Sequence, residues 1–189
     1  MVKELTANIA TKIIEEDSGL HRYVLERNWS SKKTATMATV LTLYPSTSEL
    51  IITDTTTKLI TNNIYKLGYE GLFSVNLFSK LNFVDSSKDK KGKRNYKTAT
   101  NATNDQYIVE CAKKSDIVIL AYGSLPSKNK QVQTRLNQVM KLLETEELIS
   151  KVKILTDLKE EKCFHPLSAK VRNSWNLIQY VLDEGGSDE

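Results

Sequence analysis

Residues 116–121 (DIVILA) constrain the fold more than any other stretch of the chain. A strand that is apolar at nearly every position is buried on both faces, as the central strands of parallel sheets are. Gly123 and Ser124 follow this strand, and residues 131–148 then carry apolar side chains at helical spacing. A buried strand followed by an amphipathic helix predicts an α/β fold with a mostly parallel central sheet.

The same alternation extends along most of the chain. We predict further strands at residues 22–27, 36–43, 72–78 and 152–155, and further helices at residues 55–67, 106–114 and 168–182. Gly68 ends one of these helices, and Asn104 with Asp105 caps another. Apolar residues at positions 5, 9, 13 and 14 predict an additional amphipathic helix at the N-terminus. We therefore expect a three-layer α/β/α sandwich over residues 1–184 as one domain, followed by a disordered tail at 185–189.

Composition limits the chemistry that the fold can carry. The 189 residues include 40% hydrophobic and 26% charged residues, with a net charge of +4, which is typical of a globular domain. The two cysteines, Cys111 and Cys163, and the two histidines, His21 and His165, do not form any of the usual metal-ligand patterns. We expect no metal, no cofactor and no disulfide. His21 precedes the first predicted strand and is interpreted as structural.

Hydropathy indicates the compartment. There is no apolar run of the about 18 residues that a membrane span needs, and residues 1–16 lack the pattern of a secretory signal. We therefore expect a cytoplasmic protein that does not bind membranes. We also expect a monomer.

Polar residues follow several predicted strands. They are residues 44–47 (YPST), Asn76, residues 122–124 (YGS) and residues 165–168 (HPLS). Ligands of parallel α/β sheets bind beyond the carboxyl ends of the strands. These polar residues are therefore expected to meet at one edge of the sheet.

A basic segment at residues 85–97 (DSSKDKKGKRNYK) follows the strand that contains Asn76, so it is expected to begin near the same edge of the sheet. It contains Lys90, Lys91, Lys93 and Arg94, and it shows no periodicity, so it is predicted to be a loop. Two interpretations stay open: an ordinary solvated loop, or a contact with nucleic-acid phosphates.

The order of short motifs over residues 21–170 resembles a family known only as domain of unknown function 1643. The matching residues are Arg22, Tyr23, Leu25, Arg27, Trp29, Pro45-Ser46-Thr47, Asp54, Gly68-Tyr69, Gly71-Leu72, Asn76-Leu77-Phe78, Asn104-Asp105, Gly123 and His165-Pro166-Leu167. Each motif is short, but the ordered set is specific. The family name itself implies no activity.

This pattern in turn resembles the uracil-DNA glycosylase superfamily, which has the same kind of α/β/α sandwich. The resemblance implies that Asn76, at a strand end, reads a base edge. It implies that His165, in His-Pro-Leu-Ser, contacts the base carbonyl, while the residues after it wedge the DNA. The sequence departs from the superfamily at Tyr44, which precedes Pro45 where the glycosylases have Asp or Asn. Asp54 is the best replacement for that water-positioning residue.

The resemblance, with its departure at Tyr44, implies a monofunctional DNA glycosylase that acts on a flipped-out non-standard or modified base, such as those of bacteriophage DNA, and leaves an abasic site. Asp54 stabilises the sugar cation and orients water, His165 donates to the departing base, and Asn76 reads its edge. The predicted base-binding residues are Tyr44, Pro45, Asn76 and Phe78. The predicted DNA-binding residues, on a double-stranded partner, are Ser46, Thr47, Ser48, Lys90, Lys91, Lys93, Arg94, Pro166, Leu167 and Ser168.

Other interpretations of the same residues remain open. Asp54 also suits a helix cap, Asn76 also suits a tie at a strand end, and His165 also suits an ordinary loop residue. For the whole chain, the alternatives are a non-catalytic nucleic-acid-binding module on the same fold, or a hydrolase of free nucleotides or nucleosides.

Overall fold

Four adjacent parallel strands form the centre of a seven-stranded sheet. The structure, a computed structural model, describes residues 2–83, 95–157, 159 and 162–181. The strands are β1 (Ala10–Glu15), β2 (Arg22–Asn28), β3 (Met37–Thr42), β4 (Gly71–Asn76), β5 (Ile117–Leu120), β6 (Val152–Thr156) and β7 (Asn176–Gln179). Their order across the sheet is β1-β2-β4-β3-β5-β6-β7.

The sheet is mixed rather than mostly parallel. The pairs β4–β3, β3–β5 and β5–β6 are parallel, whereas β1–β2, β2–β4 and β6–β7 are antiparallel. The α/β class is confirmed, but the expectation of a mostly parallel sheet is not, because strands at both sides of the parallel centre run in the opposite direction. The strand predicted at residues 116–121 is β5, which is buried at every position.

Helices cover both faces of the sheet. The α-helices that lie wholly within the described residues are α1 (Thr55–Lys66), α2 (Ala102–Lys113) and α3 (Lys130–Thr145). On one face, Ile60 and Ile64 of α1 pack with Val40 and Ile119 of the central strands. On the other face, α2 and α3 pack against alternate residues of the same strands, such as Leu41. The alternation of side chains along each strand thus builds two cores from one set of strands.

The N-terminal helix is a wrong prediction, because residues 10–15 form strand β1. β1 pairs antiparallel with β2, from Ala10 opposite Asn28 to Glu15 opposite Arg22. Without β1, the backbone N–H and C=O groups along that side of β2 would lack partners. Ile13 and Ile14 occur at a spacing that suits either structure, and the pairing with β2 decides for the strand.

The predicted helix at residues 168–182 is also wrong. Its residues form turns and then strand β7, which pairs antiparallel with β6. Val171 and Trp175 are buried in the core under α1, and Leu177 packs against them. The apolar residues at helical spacing therefore lie in a turn and in an edge strand, and they reach the core from there.

The start of α2 differs from the prediction. Asn101 caps this helix, since its side chain accepts a hydrogen bond from the backbone N–H of Asn104 at 3.0 Å. Asn104 lies inside the helix and donates to the carbonyl oxygen of Asn76. The tail at 185–189 and residues 85–94 of the basic segment lie outside the described residues. Within the described part of the chain, no helix is long and apolar enough to cross a membrane.

Candidate active site

A cavity of about 220 Å³ lies at the carboxyl ends of β3 and β4, beside the first turn of α1. Its walls come from the ends of β3 and β4, the segment after β3, the start of α1, and the turn that holds His165. The lining residues include Tyr44, Pro45, Ser46, Thr47, Asp54 and His165. The predicted meeting of polar residues at this edge of the sheet is thus observed for the segments after β3 and β6. We call this space the site cavity.

Asp54 both caps α1 and faces the site cavity. Its Oδ1 accepts a hydrogen bond from the backbone N–H of Thr57 at 2.7 Å, as an N-cap does. Its Oδ2 accepts from the backbone N–H of Thr47 at 3.1 Å. The Thr47 hydroxyl also donates to Oδ2, at 3.5 Å. An ionised carboxylate has about four acceptor positions, so Oδ1 keeps capacity for a water molecule. The capping interpretation is confirmed, and it fixes the direction in which the carboxylate points.

Asp54 ends a loop, residues 44–54, that we call the Asp54 loop. Within the loop, Ser48 is fully buried, and its hydroxyl oxygen accepts from the backbone N–H of Asp54 at 2.9 Å. Arg22 of β2 donates to the carbonyl oxygens of Ser46, at 3.1 Å, and of Ser48. The strand next to the loop therefore holds one side of it.

A second arginine of β2 holds the other side of the Asp54 loop. Arg27 is 7% exposed, and its Nη2 donates to the Thr53 hydroxyl at 2.5 Å. Burial lowers the pKa of Arg27, while the negative charge of Asp54 raises it. An arginine stays charged in proteins, so Arg27 places a positive charge beside the Asp54 carboxylate. The Nε of Arg27 is buried without a hydrogen-bond partner among the described residues.

His165 presents one free ring nitrogen. In a tight turn over residues 165–168, the backbone N–H of Ser168 donates to the carbonyl oxygen of His165, and that of Leu167 donates to Nδ1 at 3.2 Å. Because Nδ1 accepts, the neutral ring carries its proton on Nε2. Burial lowers the pKa of His165, and the Asp54 charge raises it in part. The ring is therefore neutral at neutral pH, and its Nε2 has no partner among the described residues.

Gly123 sets the position of this turn. The residue follows β5 and has a φ of +74°, a conformation that glycine adopts more readily than other residues. A Cβ placed on it would lie 3.1 Å from the Cβ of His165. The chain after β5 thus lies directly against the histidine, and only a residue without a side chain fits there without displacement.

Tyr44 forms an aromatic wall of the site cavity. Its ring stacks on Phe78, with ring centroids 5.6 Å apart, and its hydroxyl lies 3.4 Å from that of Tyr96. Phe78 is 1% exposed and does not line the cavity, so it supports Tyr44 from the core. Tyr44 and Pro45 therefore lie on the wall of the site cavity, whereas Phe78 has a packing position.

Asn76 lies beside the site cavity but does not line it. It is the last residue of β4, opposite Thr42 of β3, whose hydroxyl donates to Asn76 Oδ1 at 2.6 Å. Thr42 does line the cavity, as does Ser74 on the same face of β4. The Asn76 amide nitrogen has no partner among the described residues. The interpretation of Asn76 as a tie at the strand end agrees with its bond to Thr42.

The residues predicted to contact DNA fall into three groups. Thr47 and Ser46 border the site cavity, whereas Ser48 is a buried part of the loop. Leu167 is 40% exposed at the tip of its turn, between buried Pro166 and half-buried Ser168. Lys90, Lys91, Lys93 and Arg94 lie outside the described residues.

The other histidine, His21, and the cysteine nearest to His165, Cys163, do not line the site cavity. His21 precedes β2, and its Nδ1 lies 2.8 Å from the hydroxyl of Ser79, within hydrogen-bond distance. Cys163, two residues before His165, is held against the carbonyl oxygen of Leu120, and burial raises the pKa of its thiol to about 12. The thiol stays protonated at neutral pH and is not a candidate nucleophile.

Sequence reasoning missed the residues that hold the site in place. Arg22 and Arg27 are predicted only as strand residues and as part of the family pattern, and Thr42 and Ser74 only as strand residues. A buried arginine in a strand is unusual, because its charge must be compensated nearby. An arginine within the predicted strand β2 is therefore a signal for a nearby negative charge, which in the structure is that of Asp54.

The comparisons with known proteins agree with the ordered motifs. A family model described as "Protein of unknown function (DUF1643)" matches residues 22–167, which is most of the chain. The chain belongs to the DUF1643 family. Searches of curated proteins and of solved structures found no match. The residues that line the site cavity fall within the part of the chain that the DUF1643 model covers.

Proposed function

We propose that this DUF1643 protein is a DNA glycosylase that hydrolyses the N-glycosidic bond of a flipped-out, non-standard base. The observation that carries the proposal is the pairing of two groups in one small cavity: the Asp54 carboxylate and the neutral His165 ring with a free Nε2–H. The cavity, at about 220 Å³, is below the about 300–1,000 Å³ of clefts for drug-sized ligands, so it suits a single small ring system.

The two groups complement the charges that develop as the bond breaks. The sugar becomes positive and the departing base becomes negative. The Asp54 carboxylate stabilises the sugar cation and orients the attacking water, as carboxylates do in other glycoside cleavages. The Nε2–H of His165 donates a hydrogen bond to the base oxygen that gains negative charge. Water is the nucleophile, so the products are the free base and an abasic site.

The surrounding residues supply recognition. Tyr44 offers an aromatic face on which a flipped base stacks. The Asn76 amide, next to the cavity wall, has a free donor for the edge of a base. Because a base inside a duplex is inaccessible, the nucleotide must leave the stack. We assign the filling of the resulting gap to Leu167, which is exposed and lies two residues after His165.

The proposal continues the resemblance to the uracil-DNA glycosylase superfamily, with one difference. Tyr44 occupies the position of that superfamily's usual Asp or Asn, and Asp54 reaches the cavity from the end of the loop instead. Because the usual Asp or Asn is missing from this position, the expected substrate is a base other than uracil, such as a modified base of bacteriophage DNA.

The test is an abasic-site assay with unmodified, uracil-containing and phage-modified duplex DNA, followed by alkaline cleavage. We expect strand breaks in modified DNA, and a loss of about 100- to 1,000-fold in rate for Asp54→Asn, since the variant loses the charge that matches the transition state. Asp116→Asn is the matched control. Asp116 also accepts a backbone hydrogen bond, from Met37, but it precedes β5 at the opposite edge of the sheet.

Each other outcome identifies an alternative. DNA binding without breaks on every substrate would leave the non-catalytic nucleic-acid-binding module. Cleavage of free nucleosides or nucleotides, but not of DNA, would indicate the small-molecule hydrolase. Breaks of equal rate in Asp54→Asn would contradict the role given to this carboxylate.

A further inference from the structure

A second cavity, of about 370 Å³, lies at the same edge of the sheet but on the face covered by α2 and α3. We propose that it binds a phosphate group, and that in the DNA complex it holds a backbone phosphodiester near the flipped nucleotide. The assignment to DNA rests on the proposed function, whereas the phosphate site itself does not. The described residues that carry the argument are Tyr96, Lys97, Gln131, Thr134, Arg135 and Gln138.

Arg135 of α3 provides the main evidence. The residue is 5% exposed, and its guanidinium is fixed on three sides: Nε donates to the Leu77 carbonyl oxygen at 2.8 Å, and Nη2 donates to the Thr100 hydroxyl and to Asp105. Its remaining nitrogen, Nη1, has no hydrogen-bond partner among the described residues. Since Arg135 lines the cavity, a bound anion can satisfy that nitrogen.

The other polar lining residues also donate hydrogen bonds. Lys97 brings a positive charge, Gln131 and Gln138 bring amide N–H₂ groups, and Thr134 brings a hydroxyl. No carboxylate is among the described residues that line the cavity. A phosphate accepts hydrogen bonds from all these groups, and arginine binds it well because several N–H groups point in fixed directions.

The ends of two helices add to the positive potential. Gln131 lies in the first turn of α3, and the first turn of this helix has no acidic residue. α2 also begins at this edge of the sheet, just after Thr100. The amino end of a helix carries a partial positive charge that favours anions. Asp105 offsets one charge, so Arg135 and Lys97 together leave the cavity with a net positive charge.

The second cavity shares a wall with the site cavity. Tyr44 lines the site cavity, stacks on Phe78, and places its hydroxyl 3.4 Å from that of Tyr96. Phe78 and Tyr96 both line the second cavity. A nucleotide strand that places its base against Tyr44 would therefore pass its backbone near Arg135.

The test follows the side-chain amide NMR signals of Gln131 and Gln138 in the full chain during titration with inorganic phosphate and, separately, with unmodified duplex DNA. We expect saturable shifts with both, and about tenfold weaker phosphate binding in Lys97→Gln, which loses one charge-assisted hydrogen bond. Lys141→Gln is the matched control, because it removes an exposed charge of the same sign farther along α3.

Shifts with phosphate alone would keep the phosphate site but overturn its assignment to a DNA backbone. Absence of saturable shifts with either probe, or equal weakening in both lysine variants, would overturn the proposal. These variants change exposed residues only, so folding does not limit the test. Base release without any phosphate shift would support the proposed function and contradict the phosphate site. Phosphate shifts without base release would support the phosphate site and contradict the proposed function.

Discussion

The two loops that bring Asp54 and His165 to one cavity are held in different ways. The Asp54 loop is fixed from a distant part of the chain, because two arginines of β2 bind it. Within the loop, the buried Ser48 accepts a hydrogen bond from Asp54, and Asp54 caps α1. The turn of His165 is fixed by hydrogen bonds within its own four residues, by bonds with Val171 and Arg172 a few residues later, and by the close approach of Gly123. The carboxylate is thus part of the fold, whereas the histidine is held locally.

This difference indicates how each residue can be altered. Changes around Asp54 are expected to affect stability and activity together. Changes around His165 are expected to affect the site with a smaller loss of stability.

The largest expected effect comes from Arg27→Met. The substitution removes the bond to Thr53 and the positive charge beside Asp54, and we expect the free energy of unfolding to fall by about 2–3 kcal/mol. Arg172→Met is the matched variant in the other loop, since exposed Arg172 donates to the Leu167 carbonyl oxygen at 2.9 Å. We expect it to lose less than about 1 kcal/mol in chemical denaturation. Equal losses would show that the two loops are held alike.

Gly123→Ala is expected to have an intermediate effect. At a φ of +74°, alanine costs about 1–2 kcal/mol, and its Cβ meets His165. Gly68→Ala is the control, because Gly68 has a φ of +88° and nothing within 4 Å of an added Cβ. Both variants should lose similar stability, but only Gly123→Ala should shift the NMR signals of His165. Unchanged His165 signals in Gly123→Ala would mean that this contact does not position the ring.

The smallest effect concerns protonation of His165. Burial places its pKa below the ordinary value of about 6.5, and Asp54→Asn should lower this pKa further because a negative charge is lost. The unfolded chain then binds more protons than the folded one, so this group removes stability as the pH falls through about 6.5. An NMR titration measures the pKa, with Asp116→Asn as the control. A His165 pKa above 6.5 would contradict the neutral ring.

The centre of the fold could be predicted from local pattern alone. The strand at residues 116–121 is apolar throughout, and α1 has both a capping Asp54 and a terminal Gly68, so sequence pattern and structure agree there. The edges could not be predicted in this way. Residues of β1 and β7 have helical spacing as well, and only the neighbouring strands, β2 and β6, show which structure satisfies the backbone.

In the site, too, the residues that follow strands could be predicted from the sequence, whereas the contacts with distant residues could not. Asp54, Asn76 and His165 are predicted to share a pocket. Asp54 and His165 do line one cavity, because both follow strands that end at one edge, whereas Asn76 lies beside that cavity and is not part of its lining. The contacts of Arg22 and Arg27 with the Asp54 loop join residues 24–26 positions apart, and no local pattern encodes them. The position of Phe78 depends on the packing of three other rings around it, which spacing does not reveal.

The central claim is that Asp54 and His165 break a bond between a sugar and a base in DNA. Mass spectrometry of the small molecules released from phage-modified duplex DNA tests it most directly. The account predicts a free modified base and a DNA strand that stays intact until alkali is added, with release greatly reduced in Asp54→Asn. Release of nucleotides, or no release from any modified DNA, would contradict it.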